Sequence, residues 1–222
     1  MTFFQIVKNF LSKILGIRSD EFFWKFRHFF DKNWAKSYVS ETTINHPHRK
    51  LLVDEISKFY PFESVLEIGS ASGANLFLLA KKFPKVSFYG IDVSSSAIKE
   101  GKKFFLKNEI KNVFLQNISA NHLKIFKDKS IDVIFSDASM IYINKTQIDK
   151  VLKEMFRIAK KSIILCEQHT EDFPFYNTKW IHNYKAVVEG IIPKSRMNFI
   201  KISENIWAGD WEKYGYIIKI VL

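Results

Sequence analysis

The sequence predicts an α/β protein: an open, mostly parallel sheet covered by helices on both faces, closed at its end by an antiparallel hairpin. Two observations carry this. From residue 64 onward, short β-branched runs alternate with helical stretches, the rhythm that specifies a parallel sheet between helical layers. After residue 197 the rhythm breaks. Two strand-like runs, 198–203 and 214–221, are separated only by a short polar loop, 204–213, and pair as an antiparallel hairpin at a sheet edge.

In chain order, residues 3–17 read as an amphipathic helix. Phe3, Phe4, Val7, Phe10, Leu11, Ile14 and Leu15 recur at helical spacing, with Gln5, Lys8, Ser12 and Lys13 largely on the other side. A second helical stretch, 20–30, carries six aromatics, and 31–47 reads as loop with short helical turns. These 47 residues form a helical, aromatic-rich extension; 48–222 form the main domain. It opens with a helix at 48–59. Strands follow at 64–68, 86–91, 112–116, 131–136 and 162–166, with helices at 74–83, 95–105 and 145–159.

Composition sets limits on function. With 222 residues the chain fits one domain of about 150–200 residues plus an extension. The single cysteine, Cys166, excludes an intrachain disulfide, suits a reducing cytoplasm and falls in a strand that reads as core. No apolar run reaches the roughly 18 residues of a membrane span. Gln5, Lys8, Asn9 and Lys13 interrupt the apolar N-terminus, unlike a secretion signal. Net charge is +11, but the lysines are scattered, which describes a solvated basic surface as readily as a nucleic-acid face.

The chemistry concentrates where the first strand runs into Gly69-Ser-Ala-Ser-Gly73 and then a helix. Small residues let the backbone turn tightly and approach a ligand, and the helix start offers free N–H groups. Ligands of open α/β sheets lie at the carboxyl ends of the strands. A dinucleotide fingerprint, G-x-G-x-x-G, would need glycine at 69, 71 and 74, but positions 71 and 74 are alanine. The second strand ends in Asp92, whose two carboxylate oxygens suit a ribose diol.

The spacing of Glu67, Gly69, Ala71 and Gly73 resembles the first motif of the class I S-adenosylmethionine-dependent methyltransferases, acid-x-G-x-G-x-G, with alanine for the middle glycine. Gly90-Ile-Asp-Val-Ser-Ser-Ser-Ala-Ile98 is similar to the stretch that follows in that family, and 131–137, 151–157 and 163–167 resemble its fourth strand, next helix and fifth strand. The resemblance implies a Rossmann-like seven-stranded sheet in the order 3-2-1-4-5-7-6, with S-adenosylmethionine as cofactor. It implies that Glu67 and Gly69, with Ser70, Ala71 and Gly73, line its methionine end. Asp92, with Val93, would hold the ribose, Asn117 and Ile118 would flank the adenine, and Asp137 would sit near the departing methyl. Arg49 is a candidate partner for the cofactor carboxylate. No metal site is expected.

The acceptor is less determined. Asp137-Ala-Ser-Met-Ile-Tyr142 lacks the N/D-P-P-Y sequence of base-amino methyltransferases, and Cys166 is no exposed nucleophile. The expectation is an O or N atom of a small molecule: a sugar, a polysaccharide precursor or a lipid-linked compound. An RNA methyltransferase and a non-catalytic binding module are the alternatives. His169, then His182, are the candidate general bases, against the reading that both are packing histidines. Trp207 and Trp211 either wall the acceptor pocket or pack. The apolar stretch 3–30 caps the pocket, forms a homodimer interface, or docks peripherally on a membrane through Lys8, Lys13 and Arg18.

Overall fold

The structure is a computed structural model that describes residues 19–172, 175–176 and 179–222. The helix expected at 3–17 lies outside the described residues. The extension's second helix, α1, spans Ser19–Phe30. Short helices α2 (Trp34–Ser37) and α3 (Glu41–Ile44) follow, and α4 (Pro47–Ser57) leads into the sheet. Proline in the first turn of α4 costs no hydrogen bond, because the first helical N–H groups have no partner within the helix.

The strands are β1 (Ser64–Ile68), β2 (Ser87–Asp92), β3 (Val113–Asn117), β4 (Ile131–Asp137) and β5 (Ala159–Gln168), then β8 (Arg196–Lys201) and β9 (Gly215–Val221). They form one sheet in the order β3-β2-β1-β4-β5-β9-β8. The first five are parallel, while β9 runs antiparallel to both β5 and β8. Helices α5 (Ala74–Lys82), α6 (Ser95–Lys107) and α7 (Ile148–Ile158) make the crossovers. This is the order expected from the sequence.

Alternation of side chains along each strand divides the core between the two faces. Val65, Ile164, Cys166 and Ile217 pack with Leu52, Ile56, Leu76 and Leu79 of α4 and α5. Leu66, Ile68, Ile163, Leu165 and Ile218 pack with Leu152 and Met155 of α7 on the other side. Because both faces are covered, β1 and β4 read as nearly continuous buried runs.

Three parts differ from expectation. β5 extends beyond 162–166 at both ends, because β4 pairs with it from Ala159 and β9 as far as Gln168, where Glu167 and Gln168 are fully buried. A helix, α8 (Tyr184–Ile191), follows β5, preceded by a small hairpin of β6 (Phe175–Tyr176) and β7 (Lys179–Trp180). The valines of α8 hide its helical pattern, but Asn183 caps it by accepting from Ala186 N. The loop before β9 holds a short helix, α9 (Asp210–Tyr214), whose Trp211 stacks on Trp207 at 4.0 Å. Trp207 in turn stacks on His48 at 4.0 Å, so this pair packs over the start of α4.

Candidate functional site

The carboxyl ends of β1, β2 and β4 open onto a narrow cavity of about 140 Å³. Its wall carries Ile68 and Gly69 from β1, Asp92 and Val93 from β2, Ile118 to Asn121 after β3, and Asp137 to Met140 from β4. The roof comes from the extension, through Glu21 and Trp24 of α1 and Tyr38 after α2. Trp24 packs against Tyr142 at 4.8 Å between ring centroids and edge-on to Trp34 at 5.8 Å. Arg27 lies over both indoles. Asn121 donates from its amide to a Glu21 carboxylate oxygen (3.2 Å). Sequence reasoning had offered capping as one of three uses for the aromatic extension but had not found Glu21 or Trp24. The signal present was the polar break that Glu21, Lys25 and Arg27 make in the aromatic run.

The turn after β1 is held by Asp92. Its Oδ2 accepts from Ala71 N and its Oδ1 from Ser94 N, each at 2.8 Å. Burial raises the Asp92 carboxyl above its ordinary value, while the two amides pull it back. Gly69 and Gly73 have φ of +75° and +88°. At Gly69 the loop after β4 comes so near that an added Cβ would sit 2.4 Å from Ser139 Cβ. Gly69→Ala therefore combines left-handed backbone strain with overpacking and is expected to destabilise the protein by about 3 kcal/mol. Urea denaturation measures this; a stability equal to wild type would show that the two loops are free to part.

Behind the cavity lies a buried polar cluster. Asp137 Oδ2 accepts from His48 Nε2 (3.0 Å), Arg49 NH1 (3.1 Å) and Asn75 Nδ2 (2.9 Å). Asn75 also donates to Glu67 Oε1 (2.7 Å) and accepts from Arg49 NH1 (2.8 Å). Burial opposes the Asp137 charge, but His48 and Arg49 overcome it and hold the carboxyl well below the usual carboxylate range. Burial pushes Glu67 the other way, well above that range, with Asn75 offsetting part of the rise and the Asp137 charge adding to it. Glu67 Oε2 and Asp137 Oδ1 are buried and accept no hydrogen bond.

The sequence-predicted residues divide accordingly. Gly69, Asp92, Val93, Ile118 and Asp137 lie on the cavity wall, and Ser70, Ala71 and Gly73 complete the turn behind it. Glu67 joins the buried cluster. Asn117 is exposed, off the wall, and donates its side-chain amide to Asp92 O (2.8 Å). Arg49 requires correction. Its guanidinium is buried and engaged with Asp137, Asn75 and Thr43 O, because a buried cation needs a countercharge close by.

Neither candidate histidine lines the cavity. His182 is buried and donates its ring N–H to the carbonyls of Ile143 (2.9 Å) and Met140 (3.3 Å), anchoring the loop after β4. His169 accepts at Nδ1 from Tyr184 N (3.2 Å) and faces a separate cleft with Phe199 and Tyr216. Burial lowers both imidazoles below their ordinary value. Both rings therefore make packing contacts away from this cavity. Asn75 leaves no signal in the sequence, and the partners of His48 and Glu167 are equally hidden there, since only the meeting of distant strands and helices supplies them.

The strand order, the ligand-facing turn and the acid at the tip of β2 define a class I methyltransferase fold. Residues 62–220 match the family model for a methyltransferase domain, and the chain belongs to that family, whose methyl donor is S-adenosylmethionine. Among relatives, O-methyltransferase 3 of Dictyostelium discoideum is 30% identical over 132 residues, 58% of this chain and 29% of that protein. A tRNA (guanine-N(7)-)-methyltransferase of Lactobacillus gasseri is 28% identical over 115 residues, 49% of this chain and 53% of that one. The chain thus spans about half or less of the length of these curated relatives. Among solved structures, an S-adenosylmethionine-dependent methyltransferase from Aquifex aeolicus superposes with a TM-score of 0.63 at 20% identity, over 86% of this chain and 98% of that one. Magnesium protoporphyrin IX methyltransferase from Synechocystis gives 0.63 at 14% identity, over 91% and 96%.

Proposed function

We propose that the protein transfers a methyl group from S-adenosylmethionine to an O or N atom of a small-molecule acceptor. The observation that carries this is the narrow cavity at the ends of β1, β2 and β4, roofed by Trp24. A roofed slot suits one small reacting group better than an open nucleic-acid surface. The cofactor supplies an electrophilic methyl on a sulfonium.

The residues present fit that cofactor. Gly69 and Asp137 line the cavity, and Asp137 Oδ1, buried and without a hydrogen-bond partner, has a lone pair to offer an ammonium. Each Asp92 oxygen already accepts one amide and retains a lone pair for a ribose hydroxyl. Ile118 and Val93 give apolar surface beside it, with Asn117 supporting the strand tip. The chain's own contribution to the reaction is alignment and exclusion of water by Trp24, Tyr38 and Tyr142. No histidine or lysine lines the slot among the described residues, and His169 and His182 lie off its wall.

Asp92→Ala is expected to weaken cofactor affinity about a hundredfold or more, from the loss of two hydrogen bonds to a charged acceptor. Calorimetric titration, with a melting curve to separate misfolding, measures it; wild-type affinity would remove Asp92 from the site. The test of function is incubation with methyl-labelled cofactor and a cell extract, followed by fractionation. Label among small molecules, lost with Asp92→Ala, supports the proposal. The tRNA methyltransferase relatives and the +11 charge support a second reading, and label in RNA would establish it.

A further inference from the structure

The slot does not end at its roof. It shares Glu21, Ala120, Asn121 and Gln147 with an adjoining groove of about 770 Å³. Three separate elements bring lysines to that groove: Lys25 from α1, Lys124 from the 3-10 turn Ala120–Ile125, and Lys150 and Lys153 from α7. Lys150 and Lys153 stand one helical turn apart on one face. All four are exposed, and among the described residues none has an ion-pair partner. The groove also carries two carboxylates, fewer than its lysines, and Glu154 feels the Lys124 charge. Glu154 accepts from Arg157 (2.8 Å) and Glu21 from Asn121 (3.2 Å). Phe22, exposed, adds apolar surface.

The geometry points to this groove as the binding site for a phosphate group carried by the acceptor, a phosphomonoester or pyrophosphate, whose nucleophilic end enters the slot. The inference rests on the methyltransferase reading above and adds the chemical class of the substrate. Four ammonium groups around one concavity exceed the two carboxylates, Glu21 and Glu154, that line it. A phosphate brings nearly two charges and three acceptor oxygens, and a pyrophosphate more. Lysine suits such a ligand, acting as a mobile point charge with three donors. The cations ring one hollow beside the slot, whereas single-stranded nucleic acid calls for a groove that tracks its backbone over several nucleotides.

The probe is inorganic pyrophosphate, titrated calorimetrically into the full chain with and without S-adenosylmethionine. Saturable binding is expected, weakened about a hundredfold by combined Lys150→Glu and Lys153→Glu, each lost charge-assisted contact costing about tenfold. Cofactor affinity should be unchanged. Should the double variant melt early, Lys124→Ala, expected to weaken pyrophosphate about tenfold, is read instead. Absent binding, or equal binding in folded variants, overturns the inference.

A second arm repeats the labelling with extract pretreated with phosphatase. Loss of label supports the inference, whether the untreated product is water-soluble, as a free phosphate ester, or extracts into organic solvent, as a lipid headgroup. Small-molecule label that survives phosphatase overturns the inference and leaves the methyltransferase reading standing. Label in RNA overturns both the inference and the small-molecule acceptor, and loss of cofactor binding by the wild-type chain would bring down the reading beneath them.

Discussion

Asp137→Ala is expected to lower stability by about 3–5 kcal/mol, the cost of leaving a buried cation without its countercharge. Asp137 is the carboxylate on which His48, Arg49 and Asn75 converge, and all four residues are almost wholly buried. Removing it strands the Arg49 guanidinium against Tyr38, whose ring centroid lies 4.9 Å away, with only neutral acceptors left. The folded-state carboxyl is depressed below its ordinary 3.8, so its stabilising contribution is present above that value and is lost as pH falls through the folded value. At neutral pH the wild type retains all of it, and urea denaturation there reads the full difference. Joint replacement, Asp137→Leu with Arg49→Met, should recover much of the loss, because a buried ion pair and an apolar pair of similar volume have similar net worth. A single Asp137→Ala variant as stable as wild type would mean that the cluster carries no net charge to compensate.

The second large effect belongs to Glu167 at the end of β5. Its Oε1 accepts from both Ser139 N and Met140 N at 3.0 Å, which fixes the loop that forms one wall of the slot. Burial raises this carboxyl from 4.5 to about 7, with the two amides offsetting part of the rise. The sign follows from proton binding, since the folded state holds this proton more tightly than the unfolded chain. Its contribution is therefore fully present below about 4.5 and is lost as pH climbs through about 7. A rise of that size corresponds to about 3 kcal/mol between the ends of the window. Glu167→Gln keeps an acceptor for both amides and has no charge to bury. It should be the more stable protein above the window, and its stability should lack this pH slope. Denaturation curves across the window for both proteins check it; parallel slopes would show that Glu167 does not titrate there.

These two carboxylates mark the limit of what the sequence discloses. Asp92 was identifiable from the chain alone, because it ends a strand-like run at a fixed distance from the Gly69–Gly73 turn and its folded partners, Ala71 N and Ser94 N, lie in those same short segments. Asp137 was placed at its strand end, but its buried partners were not legible. The sequence pointed it towards the departing methyl and Arg49 towards the cofactor, whereas the two residues, 88 positions apart, pair with each other. The histidines failed for a related reason. His182 stands in a polar, aromatic stretch that looks like an acceptor pocket, and only the folded chain turns its ring N–H onto the Ile143 carbonyl.

The sequence by itself determined the parallel sheet, the terminal hairpin, the turn at Gly69–Gly73 and the acid beside it. Each depends on periodicity or spacing within a few contiguous residues, and burial on both faces of the sheet rewards those patterns wherever the strands meet. Only the tertiary structure decided that α1 roofs the slot, that Arg49 and His48 donate to Asp137, and that lysines from α1, α7 and the turn between β3 and β4 face one groove. Buried charges take whichever partner the fold brings within reach, and surface charges converge only where separate elements are packed side by side. Neither depends on neighbours in the chain, so neither leaves a local pattern to read.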